Sequence, residues 1–457
     1  MQALTQTTTA NREAAPIRVD VGYSLINLGS TTLWSVISGW LLYFYMPPDG
    51  DGPPLVPAAL YGATMLVVRG VNAVIAPPIG HLSDQTRSRW GRRLPLMAAS
   101  ALPMTALFVF LWNPPVQNTS LWNLAYLAAA FLLYNVAYTF NQVPYMALLP
   151  ELALTDQHRV RMSAWSSGFF LLGMIVGGAA GPLIERFGYQ STALIYATVA
   201  LPLLYLPFFV LRERPGRQID PGERATLRDA GSAMLRNRAF LIMTATGILY
   251  WSVTTFVQSI IPFVVTEVCQ LSKSATFSFY VPAILASLIC YPAVTWLSNR
   301  LDKSTVFAGS LLASACVLPL LMVIGDRVPL DLRTQGIIWI TLQSIAMAGV
   351  TMLPPAFGAE ITDHDEALTG QRREGAYYAT WGLLDQAING VASAVLPLIL
   401  LLGRSQADPQ GPLGVRLVGP LSGVLMLAAF LIFRKYPLRR TSPGQGGYDE
   451  NACNPDS

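Results

Sequence analysis

Twelve apolar runs, most of them about twenty residues or longer, recur along this chain with short polar segments between them. A helix of that length crosses the ~30 Å hydrocarbon core of a bilayer. In hydrocarbon the backbone must satisfy its own hydrogen bonds, so helices are the form such runs take. The runs lie near 21–46, 57–82, 94–112, 121–149, 162–184 and 191–211, then 240–268, 275–298, 306–324, 336–359, 375–402 and 417–433. Hydrophobic residues make up 53% of the chain and charged ones 12%. A soluble domain carries about 25% charged residues, so the apolar excess belongs to the whole chain. The predicted fold class is an all-α polytopic membrane protein.

Charge distribution sets the expected orientation. Basic residues crowd the segments after even-numbered spans: Arg89, Arg92 and Arg93; Arg159 and Arg161; Arg214 through Arg238; Arg300 and Lys303; Arg372 and Arg373; Lys435, Arg439 and Arg440. The other side is poorer, and its first loop holds Asp49 and Asp51 with no base. Lys/Arg bias points such loops to the cytoplasm. This predicts a multi-pass protein of the plasma (inner) membrane with both termini cytoplasmic. The expected layout is a tail at 1–20, a six-helix bundle at 21–211, a polar loop at 212–238, a second bundle at 239–434 and a tail at 435–457. No hydrophobic leader is expected in the first twenty residues.

Three polar blocks stand at the ends of spans two, four and ten. The first runs from Gly80 to Arg93 and includes Asp84, Arg87, Arg89, Arg92 and Arg93. The second is Pro144-Tyr145-Met146-Ala147-Leu148-Leu149-Pro150-Glu151, with Arg159 beyond it. The third holds Asp365, Glu366, Thr369, Gly370, Arg372, Arg373 and Glu374. Acid and base interleaved at helix ends fit a gate of ion pairs that opens on each cycle. Exposed pairs are each worth about 0–1 kcal/mol, and the same arginines also serve topology alone. Spans two and eight, and spans four and ten, end similarly at an offset of roughly 210 residues, the scale of a six-span parallel repeat.

Together these blocks resemble the glycoside–pentoside–hexuronide cation symporters, the melibiose permease-like branch of the major facilitator superfamily. The resemblance implies twelve helices in two six-helix bundles that work by alternating access on a sugar or glycoside. It also implies acidic cation ligands on spans two and four, but those positions fall at Asn72, Ala76 and Gln142 here. The acidic sugar ligand of span one falls at Thr31, and the span-eleven lysine at Gln386. Carboxamides bring no negative charge to offset sodium dehydration, so the expected coupling ion is H⁺ rather than Na⁺.

The expected substrate site is built from Tyr23, Asn27, Thr31 and Trp34 of span one, Asn72 of span two and Tyr138, Asn141 and Gln142 of span four. Trp165, Trp251, Trp381 and Gln386 complete it, with aromatic rings that stack on a sugar face or serve as packing. Arg69 and Asp385 are the ionisable residues deep in predicted spans, where each costs about 2.5–3.5 kcal/mol on insertion scales. They are candidates for proton coupling or for a conformational latch, and Arg69 also for an anionic substrate group.

No Walker motif, nucleophile elbow or metal-ligand spacing occurs, so neither an ATP-driven pump nor an enzyme is expected, and no cofactor or metal. The four cysteines show no disulfide pattern. The expected partners are a small-molecule substrate and the lipid bilayer, with no nucleic acid, for a monomeric chain. Two other readings stay open: a carrier of lysolipids or other amphiphiles on the same fold, and a transporter-like receptor that senses ligand.

Overall fold

The computed structural model describes residues 17–48, 50–86, 88–153, 155–213, 237–325, 328–369, 374–402 and 413–438. Those residues are helical nearly throughout. The helices are α1 (Ile17–Tyr45), α2 (Ala58–Gln85), α3 (Leu94–Phe110), α4 (Leu121–Leu152), α5 (Asp156–Gly178) and α6 (Ala180–Tyr205). They continue as α7 (Arg238–Phe263), α8 (Thr276–Leu301), α9 (Lys303–Val317), α10 (Leu332–Met352), α11 (Pro354–Thr369), α12 (Glu374–Leu400) and α13 (Leu413–Phe433). Among the described residues eleven segments are long and apolar enough to cross a membrane, and α3 is a shorter twelfth.

Polar side chains start the helices where the chain leaves a turn. Ser120, Thr155, Asn237, Asp302 and Asp331 each accept a backbone N–H from the first turn that follows. Such caps satisfy amides that have no partner within the helix. Departures from regular helix also have local causes. Gly188 takes φ 77° and ψ 172° inside α6, a conformation that favours glycine. The Tyr196 hydroxyl donates to the Val176 carbonyl at 2.7 Å, which one straight helix would forbid over twenty residues. The chain therefore reverses at Gly188, and the opening turns of α6 prolong α5. Helix α7 ends in a π turn, Val264–Val268.

The tenth span extends further than its hydropathy suggests. It breaks at Leu353 before two prolines and resumes as α11, through Thr369. Glu360, Asp365 and Glu366 are thus helical, not in a loop, and Glu360 and Asp365 are buried. The expected tail boundary also moves: α1 starts at Ile17, and Asp20 is fully buried.

Helices α1 to α6 pack together as one bundle and α7 to α13 as another. The halves meet where α2 lies along α12, α1 along α7, and α8 against α5 and α6. Small residues permit this approach. The Ala394 carbonyl occupies the place a side chain at Gly62 would need, and the Lys273 carbonyl does the same at Gly181.

Candidate functional site: a polar seam between two bundles

Arg69 lies eleven residues into α2, about 16 Å along it at a rise of ~1.5 Å per residue. Asp385 holds the matching place on α12, eleven residues from its start. Both are therefore near mid-span, on the two helices that form the longest seam between the halves. Their charges act on one another, yet among the described residues no ion pair joins them. Gly390 lets the α2 backbone come close, with Arg69 Cβ at 3.3 Å from where its own Cβ would stand. Arg69 Nε is buried without a hydrogen-bond partner.

Asp385 is held from its own helix. Asn389 Nδ2 donates to Asp385 Oδ1 at 3.1 Å and to its carbonyl at 2.9 Å. Asn389 Oδ1 in turn accepts from Thr255 Oγ1 of α7 at 2.5 Å. Tyr138 of α4 lies near both charges, Tyr61 near Arg69 and Tyr250 near Asp385. Trp381, one turn before Asp385, donates its ring N–H to Thr244 Oγ1 at 3.2 Å. The Oε1 atom of Gln386 is buried without a partner. Trp34 is half-buried, and Trp165 and Trp251 are exposed.

The remaining expected substrate ligands belong to the interior of the first half. Tyr23 is buried and stacks on Tyr145 with ring centroids 4.3 Å apart. Asn27 Nδ2 donates to Ser166 Oγ at 3.0 Å and to its carbonyl at 3.1 Å. Thr31 donates to Asn27 Oδ1 at 3.2 Å and sits against Gly173. Asn72 accepts from Thr139 at 2.8 Å; Asn141 and Gln142 bond within the bundle, and all three are buried. These polar groups have protein partners in this structure.

Several charges on the basic face meet partners within their own half. Glu151 binds both Arg92 and Arg93, the latter at 2.8 Å. Lys303 meets Glu360 at 2.8 Å. Arg89 lies over the Trp90 ring, and Arg159 donates to the Ala153 carbonyl at 3.2 Å. Among the described residues, these ion pairs stay within a half. Arg87, Arg372 and Arg373 lie outside the described residues, as do the side chains of Asp84 and Glu374.

Two clusters on this face escaped sequence reading. Glu213, beyond the sixth span, accepts the backbone N–H groups of Arg92, Arg93 and Leu94 at 2.5–2.9 Å. It thereby caps α3, where the helix dipole favours an anion. Gly91 has φ 106°, and Glu213 fills the space beside it. Asp20 of α1 meets His158 Nε2 at 2.7 Å and Arg161 Nε at 2.6 Å, fastening α1 to α5.

On the opposite face the halves do join. Lys273 Nζ of the second half lies 2.9 Å from Asp51 Oδ2 of the first. The Tyr43 hydroxyl donates to the same oxygen at 2.7 Å and lies 3.2 Å from Thr266 Oγ1. Burial works against the Asp51 carboxylate, but Tyr43 and Lys273 outweigh it and hold the group below the usual carboxylate range.

The chain matches the MFS/sugar transport protein family over residues 22–440. It is 25% identical over 393 residues to an isoprimeverose transporter of Lactiplantibacillus pentosus, covering 83% of this chain and 79% of that protein. It is 25% identical over 437 residues to a glucuronide carrier protein homolog of Escherichia coli (strain K12), covering 92% of each. Among solved structures, a bacterial homolog of the human lysosomal transporter Spinster, inward-facing and unoccupied, aligns with TM-score 0.67 at 13% identity, over 94% of this chain and all of that one. The nucleoside transporter NupG aligns with TM-score 0.65 at 13% identity, over 91% of this chain and 99% of that one.

Proposed function

Because the chain belongs to the MFS/sugar transport protein family, we propose that it carries a sugar or glycoside across the plasma membrane, with H⁺ as coupling ion. The basic face is then the cytoplasmic one. The observation that carries this reading is the ionisable seam of Arg69 and Asp385, mid-span on two helices of opposite halves. Ionisable residues at that depth are costly and mark pathways, and transporters of this architecture bind their cargo at the midplane between repeats.

The chemistry divides between the partners. Asp385 is the proton-accepting group, steadied by Asn389 and Thr255. Arg69 balances its charge when the proton leaves. Trp34, Tyr138, Trp251 and Trp381 supply ring faces, and Gln386 an amide, for a hydroxyl-rich ligand. Neutral side chains at Asn72 and Gln142 favour H⁺ over Na⁺, since their oxygens carry no net charge and that of Asn72 already accepts from Thr139. The relatives named as carriers of isoprimeverose and a glucuronide support the sugar class.

Counterflow in proteoliposomes tests the reading. Sugars or glycosides compete for exchange and lysolipids do not. Net uptake rises as the outer pH falls and ignores sodium. Asp385→Asn flattens that pH response and slows net uptake by about tenfold, the equivalent of ~1.4 kcal/mol, while counterflow persists. Sodium stimulation, or an unchanged pH response in Asp385→Asn, removes the proposed coupling; competition by lysolipids alone removes the sugar.

A further inference from the structure

On the face opposite the basic loops, hydrogen bonds, ring contacts and an ion pair join the halves. One cation sits at its centre. Lys273 belongs to the short 3-10 turn Lys273–Ala275, between the π turn that ends α7 and the start of α8. Its ammonium leaves the second half and enters a cage built by the first. Asp51 provides the carboxylate at 2.9 Å, and the Tyr43 and Tyr189 rings lie 5.6 and 5.7 Å away. An ammonium over aromatic faces gains from the ring quadrupoles as well as from the acid.

The cage is held in shape from both sides. Tyr43 fixes Asp51 through its hydroxyl and also reaches Thr266 on the π turn. Tyr189 is stacked on Trp112 at 5.9 Å. Beside it, Glu185 Oε2 accepts the Ser274 N–H at 2.6 Å, and Gly181 leaves room for the Lys273 carbonyl. These members lie on segments of opposite halves, so they must part if this face is to open. The side chains of Lys273 and Asp51 keep 23% and 36% of their exposure. On parting, both groups return to water without stranding a buried charge. Such a contact is weak enough to break on every cycle, yet directional enough to favour one state.

We propose that docking of Lys273 into the Asp51–Tyr43–Tyr189 cage is the latch that closes this transporter on the face opposite its basic loops and biases the ligand-free protein toward the state seen here. The proposal concerns gating and holds whichever cargo or coupling ion the central seam serves.

Hydrogen exchange of ligand-free protein in nanodiscs, read peptide by peptide, tests it. Lys273→Gln and Asp51→Asn each raise exchange in residues 180–190 and 263–280 by about fivefold, the effect of losing a pair worth near 1 kcal/mol. The double variant adds little to either single one. Lys273→Arg, which keeps the cation and its ring contacts, stays near wild type. Peptides around residues 88–94 do not accelerate. Wild-type exchange at the opposite face in both single variants overturns the latch. So does full additivity in the double variant, or acceleration spread evenly over both faces.

Discussion

Lys273 and Arg92 are both cations beside carboxylates at a membrane surface, but they connect different things. Lys273 reaches from the second half to Asp51 of the first. Arg92 binds Glu151 inside the first half and shares that acid with Arg93. On the basic face, far richer in charge, this acid braces a loop against its own bundle. The opposite face has few charges, and Lys273 and Asp51 join the bundles there. Number of charges is thus a poor guide to where a molecule is clasped. Partner placement decides it, because an ion pair fades beyond a few ångströms in water.

Substitutions can break this contrast. The largest effect is expected at the glycines of the seam. Gly62→Val puts a branched side chain where the Ala394 carbonyl lies, and overpacking of this kind costs about 1–3 kcal/mol. Uptake then falls by about tenfold or more, with helical circular dichroism retained. Wild-type uptake would show that α2 and α12 need not close this tightly.

A smaller effect belongs to the basic face. Glu213→Gln keeps the shape of the α3 cap but removes its charge, a loss of about 1 kcal/mol. Thermal unfolding should shift down by about 2–4 °C, while uptake stays within about twofold. A collapse in uptake with unaltered melting would mean that this face also works between halves.

The smallest effect is set by pH. Asp51 is held below the ordinary carboxylate value in the clasped state, so its contribution is complete above the open-state value of about 3.9. It fades as pH falls through the clasped value. The groups facing Asp51 are Lys273 and Tyr43, with Tyr189 near. Exchange at residues 263–280 should be flat from pH 7 to 5, once corrected for intrinsic rates, and rise below about pH 4. Glu185 shares this face, so the measurement is repeated in Glu185→Gln. A rise already present at pH 6 would assign the response to another group.

Two polar stripes show how far the sequence could be read. Tyr23, Asn27 and Thr31 recur every four residues on α1; Trp381, Asp385 and Asn389 do the same on α12. Four-residue spacing places each set on one helix face, and that much is visible in letters. Which neighbour the face meets is not. The α1 stripe turns to α5 of its own bundle, where Ser166 and Gly173 receive it. The α12 stripe lies at the junction with α2 and α7, where Arg69 and Thr255 face it. Asn389 was within reach of sequence reasoning, one turn beyond Asp385. Glu213 and Lys273 were not, since each finds its partner more than a hundred residues away in a segment with no periodic signal.

The sequence by itself determined the membrane class, twelve crossings in two bundles and which loops are basic, because burial in hydrocarbon and surface charge act on each segment alone. It also singled out Arg69 and Asp385, since ionisable groups at mid-span stand out against apolar neighbours. Only the tertiary structure decided that Arg92 and Arg93 share Glu151 within one half, that Asn27 meets Ser166 and that Lys273 bridges the opposite face. Hydrogen bonds and ion pairs act over about 3 Å, so they depend on which distant segments the packed helices bring together, and no single segment carries that information.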